Sequence, residues 1–373
     1  MKIAVLGKGL AGVFTAQHFK YYNPQLDVEI IYDPNIDPVP IGQATLLETP
    51  SYLWRFFEMD WYNNPIGATP KTGILYENWG SIKDKFFHPF PFQGAALHYD
   101  TTKVQDYILE HGDCTLVEKH VKSYDEVDAD YIIDARGAPK DFNEYDDLVN
   151  PLNTAMLAMK EGRDIPEQLW TRAVATPDGW TFVIPLKNRT SYGYICNKDL
   201  VNIDEARNTF CEMFDLDDID IYKTMYFKNY IAKDPIIDNR IVLQGNRLFF
   251  IEPLESSAIA LYHEWSKLLF SWIVLKDFSA DRIRDVFRKQ VIQVQNFILY
   301  HYQFGSKWDT EFWRYAKSIS DFINDDPEWV AYKEYSIHVK LHWTTERIFE
   351  RNVYGLHTPF SIRNCYEGIE SSL

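Results

Sequence analysis

Three features of the sequence have the residue types and spacing to do chemistry. The first is Gly7-Lys8-Gly9-Leu10-Ala11-Gly12, which follows the apolar run at residues 3–6 and opens a segment with Ala11, Phe14, Thr15, Ala16 and Phe19 at helical spacing. Gly7 permits a tight strand-to-helix turn, Gly9 lets the backbone approach a pyrophosphate, and Gly12 allows close helix packing. A second apolar run, 28–32, ends in Asp33, placed to accept a ribose hydroxyl. The second feature is Lys71, whose neighbours Ile74, Tyr76 and Trp79 could desolvate its amine and expose a nucleophilic lone pair or a directed donor. Taken alone, a lysine in so mixed a segment reads as a solvated surface residue. The third is Glu255, just after the apolar run 248–251, where a carboxylate can act as a base or stabilise positive charge on an aromatic ring. Its plainer reading is a helix-capping acid ahead of Ser256-Ser257-Ala258-Ile259.

The elements that must position these groups follow from the apolar patterns. The runs at 3–6 and 28–32 with the helix between them make a βαβ unit. The run at 129–135, stopping at Arg136-Gly137-Ala138, fits a further parallel strand of the same sheet. Residues 46–100 form an aromatic-rich insertion, with Trp54, Phe56, Phe57, Trp61, Trp79, Phe86, Phe87, Phe90 and Phe92. Residues 173–196 alternate and are rich in Tyr, Trp and Ile, which predicts antiparallel strands. From about residue 259 the pattern is helical. The fold class expected is α/β: a Rossmann-type dinucleotide-binding domain with an inserted antiparallel sheet and a C-terminal helical part. The expected division is 1–258 for the dinucleotide-binding module, with substrate-facing insertions near 46–100 and 165–235, and 259–373 for a mainly helical substrate side.

Composition narrows the partners. With 38 basic and 54 acidic residues the 373-residue chain carries a net charge of −16, a field that repels phosphate backbones and excludes nucleic acid as a natural partner. Cys114, Cys196, Cys211 and Cys365 show no CxxC spacing and read as reduced thiols of a cytoplasmic protein. The N-terminus lacks signal-peptide character. The longest apolar stretch, 258–275, carries His263, Glu264 and Lys267 and is too polar for a membrane span. No metal site is expected: His338 and His342 are four apart, but the intervening residues are not those of HExxH, and both read as structural. The acidic run at 215–220 reads as a solvated turn, and Asn188-Arg189-Thr190 as a sequon without a secretory route.

Three further segments carry a family resemblance. Gly67-Ala68-Thr69-Pro70-Lys71-Thr72-Gly73-Ile74-Leu75-Tyr76-Glu77-Asn78-Trp79 resembles the stretch bearing the active-site lysine of flavin-dependent halogenases of the tryptophan halogenase type. Gly179-Trp180-Thr181-Phe182-Val183-Ile184-Pro185-Leu186 resembles that family's WxWxIP motif, and Phe250-Ile251-Glu252-Pro253-Leu254-Glu255-Ser256-Ser257-Ala258-Ile259 its PLES segment. Weaker echoes are Pro40-Ile41-Gly42-Gln43-Ala44-Thr45, His88-Pro89-Phe90 and Phe297-Ile298-Leu299-Tyr300-His301-Tyr302. The matches run in family order from residue 3 to about 320.

The resemblance makes the Rossmann-type unit, 1–258, an FAD-binding domain of the glutathione-reductase-like flavoprotein kind, and implies an enzyme in which reduced FAD, oxygen and halide give hypohalous acid, relayed through Lys71 to an electron-rich aromatic small molecule. Glu255 would work with Lys71 and help remove the ring proton. Halide would sit on the backbone N–H groups of Ser257 and Ala258. Flavin would contact Gly7, Gly9, Gly12, Asp33, Ala44, Val121 and Ile259, and His88, Phe90, Trp180 and Phe182 would line the substrate pocket. A separate flavin reductase would supply the reduced cofactor, since no second glycine fingerprint appears, and a homo-oligomer is expected. Phe182, Ala258 and Gln43 replace the family's tryptophan, glycine and glutamate, which leaves halide preference open. The chain is shorter than tryptophan halogenases at its C-terminal end, where they clamp tryptophan, so a small phenol, indole or pyrrole is the expected substrate, as in a short virus-encoded member. A single-component flavin monooxygenase and a non-catalytic flavin-binding protein remain open alternatives.

Overall fold

Strand Lys2–Leu6 is buried throughout after its first residue, as a strand covered on both faces must be. It is central in a six-stranded sheet, with Asp27–Tyr32 and then Thr115–Glu118 on one side. On the other side come Tyr131–Asp134, Ile241–Leu243 and Ile236–Ile237. All neighbours are parallel except the last pair. The expected strands at 28–32 and 129–135 are both in this sheet. The computed structural model describes residues 1–36, 42–91, 94–339 and 353–370. Pro40, Ile41, Phe92 and His342 of the sequence reading lie outside them.

Helix Leu10–Tyr22 follows the first strand and packs beside helix Ser257–Phe270. Phe14 meets His263 and Phe19 meets Phe270, so the two helices run in the same direction and begin at the same end. A buried polar seam fixes their register. Thr15 Oγ1 lies 2.9 Å from Ser266 Oγ, and Gln244 donates to Thr15 Oγ1 at 2.8 Å. Each bond satisfies groups that would be costly to bury alone.

The expected antiparallel sheet is seven-stranded, in the order Ile221–Tyr226, Thr154–Glu161, Arg189–Cys196, Gly179–Pro185, Thr171–Thr176, Gly73–Glu77 and Lys85–Pro89, and is antiparallel except between Thr171–Thr176 and Gly73–Glu77. The alternating stretch at 173–196 supplies three of these strands, and part of the aromatic insertion supplies two more. A smaller sheet pairs Gly42–Ala44 and Thr69–Lys71 with Ala96–Asp100. The helical end comprises Ser257–Phe270, Ala280–Gln303, Glu311–Ser320, Pro327–His338 and Pro359–Cys365. No helix among the described residues is long and apolar enough to cross a membrane.

The glycine turn is tight in the manner its spacing suggests. Gly7 has φ +104°, and a Cβ at Gly12 would stand 2.1 Å from the Gly7 carbonyl oxygen. Relieving that clash means pushing the helix off the sheet, so Gly12→Val should cost on the order of 3 kcal/mol. Thermal melts against the parent measure the loss, and an unchanged midpoint would contradict this packing.

Candidate active site

Lys71 ends the short strand Thr69–Lys71 opposite Ala96, and its side chain is fully buried. The amine donates to Ser256 Oγ at 2.8 Å and to the Thr45 carbonyl at 3.1 Å, with the Phe90 ring centre 5.2 Å away. Burial pushes it down from 10.5 to about 7, with the nearby Glu255 charge pulling the other way. The plain surface reading of this lysine is therefore wrong: near neutral pH a large share of it is free amine, and two hydrogen bonds fix where its lone pair points.

Glu255 and Ser256 both adopt left-handed backbone, at φ 65° and 57°, which is strained for residues with a Cβ. The kink turns them in different directions. Ser256 faces Lys71, while the buried Glu255 carboxylate accepts a hydrogen bond from Tyr76. Its Oε1 also lies 3.3 Å from His88 Nδ1 and 3.2 Å from His301 Nε2. Burial would raise this carboxyl, but the charge of His88 and hydrogen bonds from His301 and His88 hold it well below the usual carboxylate range. Glu255 is not a helix cap. No ion pair links it to Lys71 within 4.0 Å among the described residues; Ser256, the next residue in the chain after Glu255, carries the contact to Lys71.

That diversion leaves a helix end open. Ser256 is the N-cap of helix Ser257–Phe270 but makes no capping bond, because its hydroxyl is taken by Lys71. The first N–H groups, at Ser257 and Ala258, lack the side-chain acceptor that usually satisfies them, and Ser257 Oγ is buried without a partner. A helix start in this condition favours an anion. The parallel neighbour presents a second such end. Helix Leu10–Tyr22 has no side-chain cap and no acid in its first turn, and a Cβ at Gly9 would meet nothing within 4 Å. Gln105 donates to the Lys8 carbonyl at 2.8 Å while its Oε1 stays buried and unpaired. Open space and bare N–H groups fit the pyrophosphate of FAD.

The other expected flavin residues are placed as follows. Asp33 follows strand Asp27–Tyr32 and is held by His120 Nδ1 at 2.6 Å and by Asn35. Ala44 pairs with His98 in the small sheet, Gln43 pairs with Tyr99, and Ile259 is buried in the first turn of helix Ser257–Phe270. Val121 uses its carbonyl to accept from Arg136 at 2.8 Å.

Of the aromatic wall, Trp180 is buried with its indole N–H on Glu252 Oε2 at 2.9 Å, and Phe182 packs 6.3 Å from it, against Gly193. Glu252 also accepts from Tyr302 at 2.7 Å and from Asn150 at 3.1 Å. Burial raises its carboxyl to about 7. Trp79 packs on Trp313 and Trp180 and donates to the Ala173 carbonyl. Much of the aromatic insertion is thus core, and Trp61 and Phe87 are partly exposed. His338 meets Glu334 at the surface. The structure gathers Lys71, Phe90, Ser256, Glu255 and His88 in one place and anchors Trp180 on Glu252. Sequence reasoning missed Ser256 as the partner of Lys71, Glu252 as the anchor of Trp180, and His301 and Cys365 beside Glu255. His301 sits in a segment that echoes the family, while nothing in the sequence singles out Cys365.

The Tryptophan halogenase family profile matches residues 2–124 and 99–338. The chain belongs to the tryptophan halogenase family. It is 22% identical over 429 residues to 7-chloro-L-tryptophan 6-halogenase KtzR of Kutzneria sp. (strain 744), covering 85% of this chain and 82% of that one. It is likewise 22% identical over 426 residues to tryptophan 7-halogenase RebH of Lentzea aerocolonigenes, covering 85% and 79%. Its fold matches BrvH, a flavin-dependent halogenase from Brevundimonas sp. BAL3, with TM-score 0.77 at 18% identity over 98% of this chain and 89% of that one. Family and fold make the chain an enzyme of the flavin-dependent halogenase class, with FAD as cofactor and halide as co-substrate.

Two measurements probe the geometry directly. The folded state prefers neutral Lys71 above about pH 7, whereas the unfolded chain keeps it charged to about 10.5. The parent should therefore gain stability relative to Lys71→Met as pH rises between those values, because the unfolded state binds the extra proton. Parallel melting curves for the two proteins across that range would refute a depressed lysine. Gly9→Val, whose Cβ enters open space, should melt with the parent yet lose most of its FAD affinity in a fluorescence titration.

Proposed function

We propose that this enzyme halogenates a small electron-rich aromatic molecule, a phenol, indole or pyrrole, with Lys71 delivering the halogen and Glu255 receiving the ring proton. The observation that carries this is the Lys71–Ser256 hydrogen bond of 2.8 Å, which sets a buried amine beside a helix end left free for an anion. Bound reduced FAD, with oxygen and halide, supplies the oxidised halogen.

The residues divide the remaining work. Gly7, Gly9 and Gly12 bring the Leu10–Tyr22 helix end to the pyrophosphate, with Asp33, Ala44, Val121 and Ile259 as further flavin contacts. The N–H groups of Ser257 and Ala258 hold halide close by, since the two helices start at the same end. Lys71, deprotonated in large part near pH 7, captures or directs the electrophilic halogen. Ser256 and the Thr45 carbonyl keep the amine from swinging away. Glu255, ionised and fixed by Tyr76, takes the proton that the ring sheds. His88, Phe90, Trp180 and Phe182 line the substrate side. Residues 1–258 act as the FAD module and 259–373 as the substrate side. A separate flavin reductase supplies the reduced cofactor, and the protein works in the cytoplasm as a homo-oligomer.

Mass spectrometry of a phenol, indole and pyrrole panel tests this. With FAD, a reductase and chloride, bromide or iodide in turn, a monohalogenated product is expected from the parent. Lys71→Ala and Glu255→Gln should each lose at least about two orders of magnitude in rate, as for a directly acting acid–base or nucleophilic group. Hydroxylated product without halogen, or a Lys71→Ala enzyme as fast as the parent, overturns the proposal.

A further inference from the structure

The groups around Glu255 are an unusual set for a buried carboxylate. His88 Nδ1, a Glu255 carboxylate oxygen and Cys365 Sγ all lie within 4.8 Å of one another, and all three residues are buried. A fourth donor, His301 Nε2, stands 3.2 Å from Glu255 Oε1 and 3.4 Å from Cys365 Sγ. His88 Nδ1 is 3.3 Å from the same oxygen and 3.9 Å from the same sulfur. Four ligands at zinc bond lengths of about 2.0 Å for N and O, and about 2.3 Å for S, sit roughly 3.3–3.7 Å apart around the ion. Four of the six separations, 3.2, 3.3, 3.4 and 3.9 Å, fall close to that range, and His301, outside the 4.8 Å group of the other three donors, must close toward His88 to complete the set.

The surroundings fix the donors as a metal site would. His301 Nδ1 lies 2.8 Å from the Phe297 carbonyl, which can only accept. Nδ1 therefore carries a hydrogen, and Nε2, which donates to Glu255, faces the cluster and becomes a ligand once zinc displaces its proton. Ligand histidines are usually held in this way, through the second ring nitrogen. Tyr76 donates to Glu255 and stacks on the His301 ring at 5.1 Å, locking both. The four residues come from strand Lys85–Pro89, the turn before helix Ser257–Phe270, and helices Ala280–Gln303 and Pro359–Cys365. Spacing in the sequence could not show this, which is why no metal was expected.

We propose that His88, Glu255, His301 and Cys365 bind one Zn2+ ion, and that its occupancy reversibly halts halogenation by engaging the carboxylate otherwise free for the ring proton. The inhibitory half rests on the proposed function; the binding half does not. Two imidazoles, a carboxylate and a thiol are a donor set for zinc rather than for magnesium or calcium, which take oxygen ligands. A cysteine ligates as thiolate, so zinc must displace the Cys365 proton to solvent. Affinity therefore rises with pH.

Cobalt serves as the probe. One equivalent of Co2+ added to the intact, flavin-free protein should give a thiolate-to-cobalt charge-transfer band and intense visible bands of a four-coordinate ion. One equivalent of Zn2+ should bleach both. Cys365→Ser should lose the charge-transfer band, and His301→Ala should weaken Zn2+ binding by at least about tenfold, with circular dichroism confirming that each variant is folded. Absence of the thiolate band in the parent, or equal Zn2+ affinity in parent and both variants, overturns the site. In the turnover assay, Zn2+ should stop halogenation and a chelator restore it. A bound ion with full turnover removes the inhibitory half alone. If no halogenated product forms under any condition, the proposed function fails while the cobalt spectrum still decides the site.

Discussion

The hydrogen bond from Lys71 to Ser256 is the constraint on which the site turns. It joins residues 185 positions apart, from the edge of a small sheet to the start of a helix, and it spends the hydroxyl that would otherwise cap that helix. One contact therefore fixes a buried amine and leaves a helix end unsatisfied. It also requires the turn before the helix to pass through two left-handed residues with side chains, each costing on the order of 1–3 kcal/mol. A relaxed turn would let Ser256 cap its own helix. The strain is retained where the chemistry needs it, and the packed strand and helix on either side hold it.

Around this bond the polar interior is organised by two acids of opposite character. Glu255 is kept ionised by imidazoles and a phenol. Glu252, three residues earlier, accepts from Trp180, Tyr302 and Asn150, yet burial still lifts its carboxyl to about 7. The same short segment thus carries one carboxylate suited to reaction and one that anchors an indole. Neither could exchange roles without a change of partners.

The fold was legible where the determinants are local. The glycine turn, the strands at 28–32 and 129–135, the alternation at 173–196 and the helical periodicity after 259 all act over a few residues, and each appears in the structure. The amine and the helix start were legible as motifs. What the sequence withheld is convergence. Nothing near Cys365 marks it for contact with His88, 277 residues away. Trp180 reads as a pocket residue, and nothing around it in the sequence shows that Glu252 binds its N–H. The aromatic count suggested a wall, whereas Tyr76 packs on both Trp79 and Phe86, and the polar edges of Tyr76 and Trp79 are satisfied internally.

The two helices that start side by side have a kinetic consequence. The chain as a whole repels anions, with a net charge of −16. At the halide site proposed above, the ion would approach against that far field and be drawn in only within the last few ångströms, where two partial positive ends reinforce each other. Added electrolyte screens the repulsion over about 10 Å at 0.1 M while hardly touching the buried start of helix Ser257–Phe270. Ionic strength therefore acts mainly on the rate at which halide arrives, and much less on how long it stays.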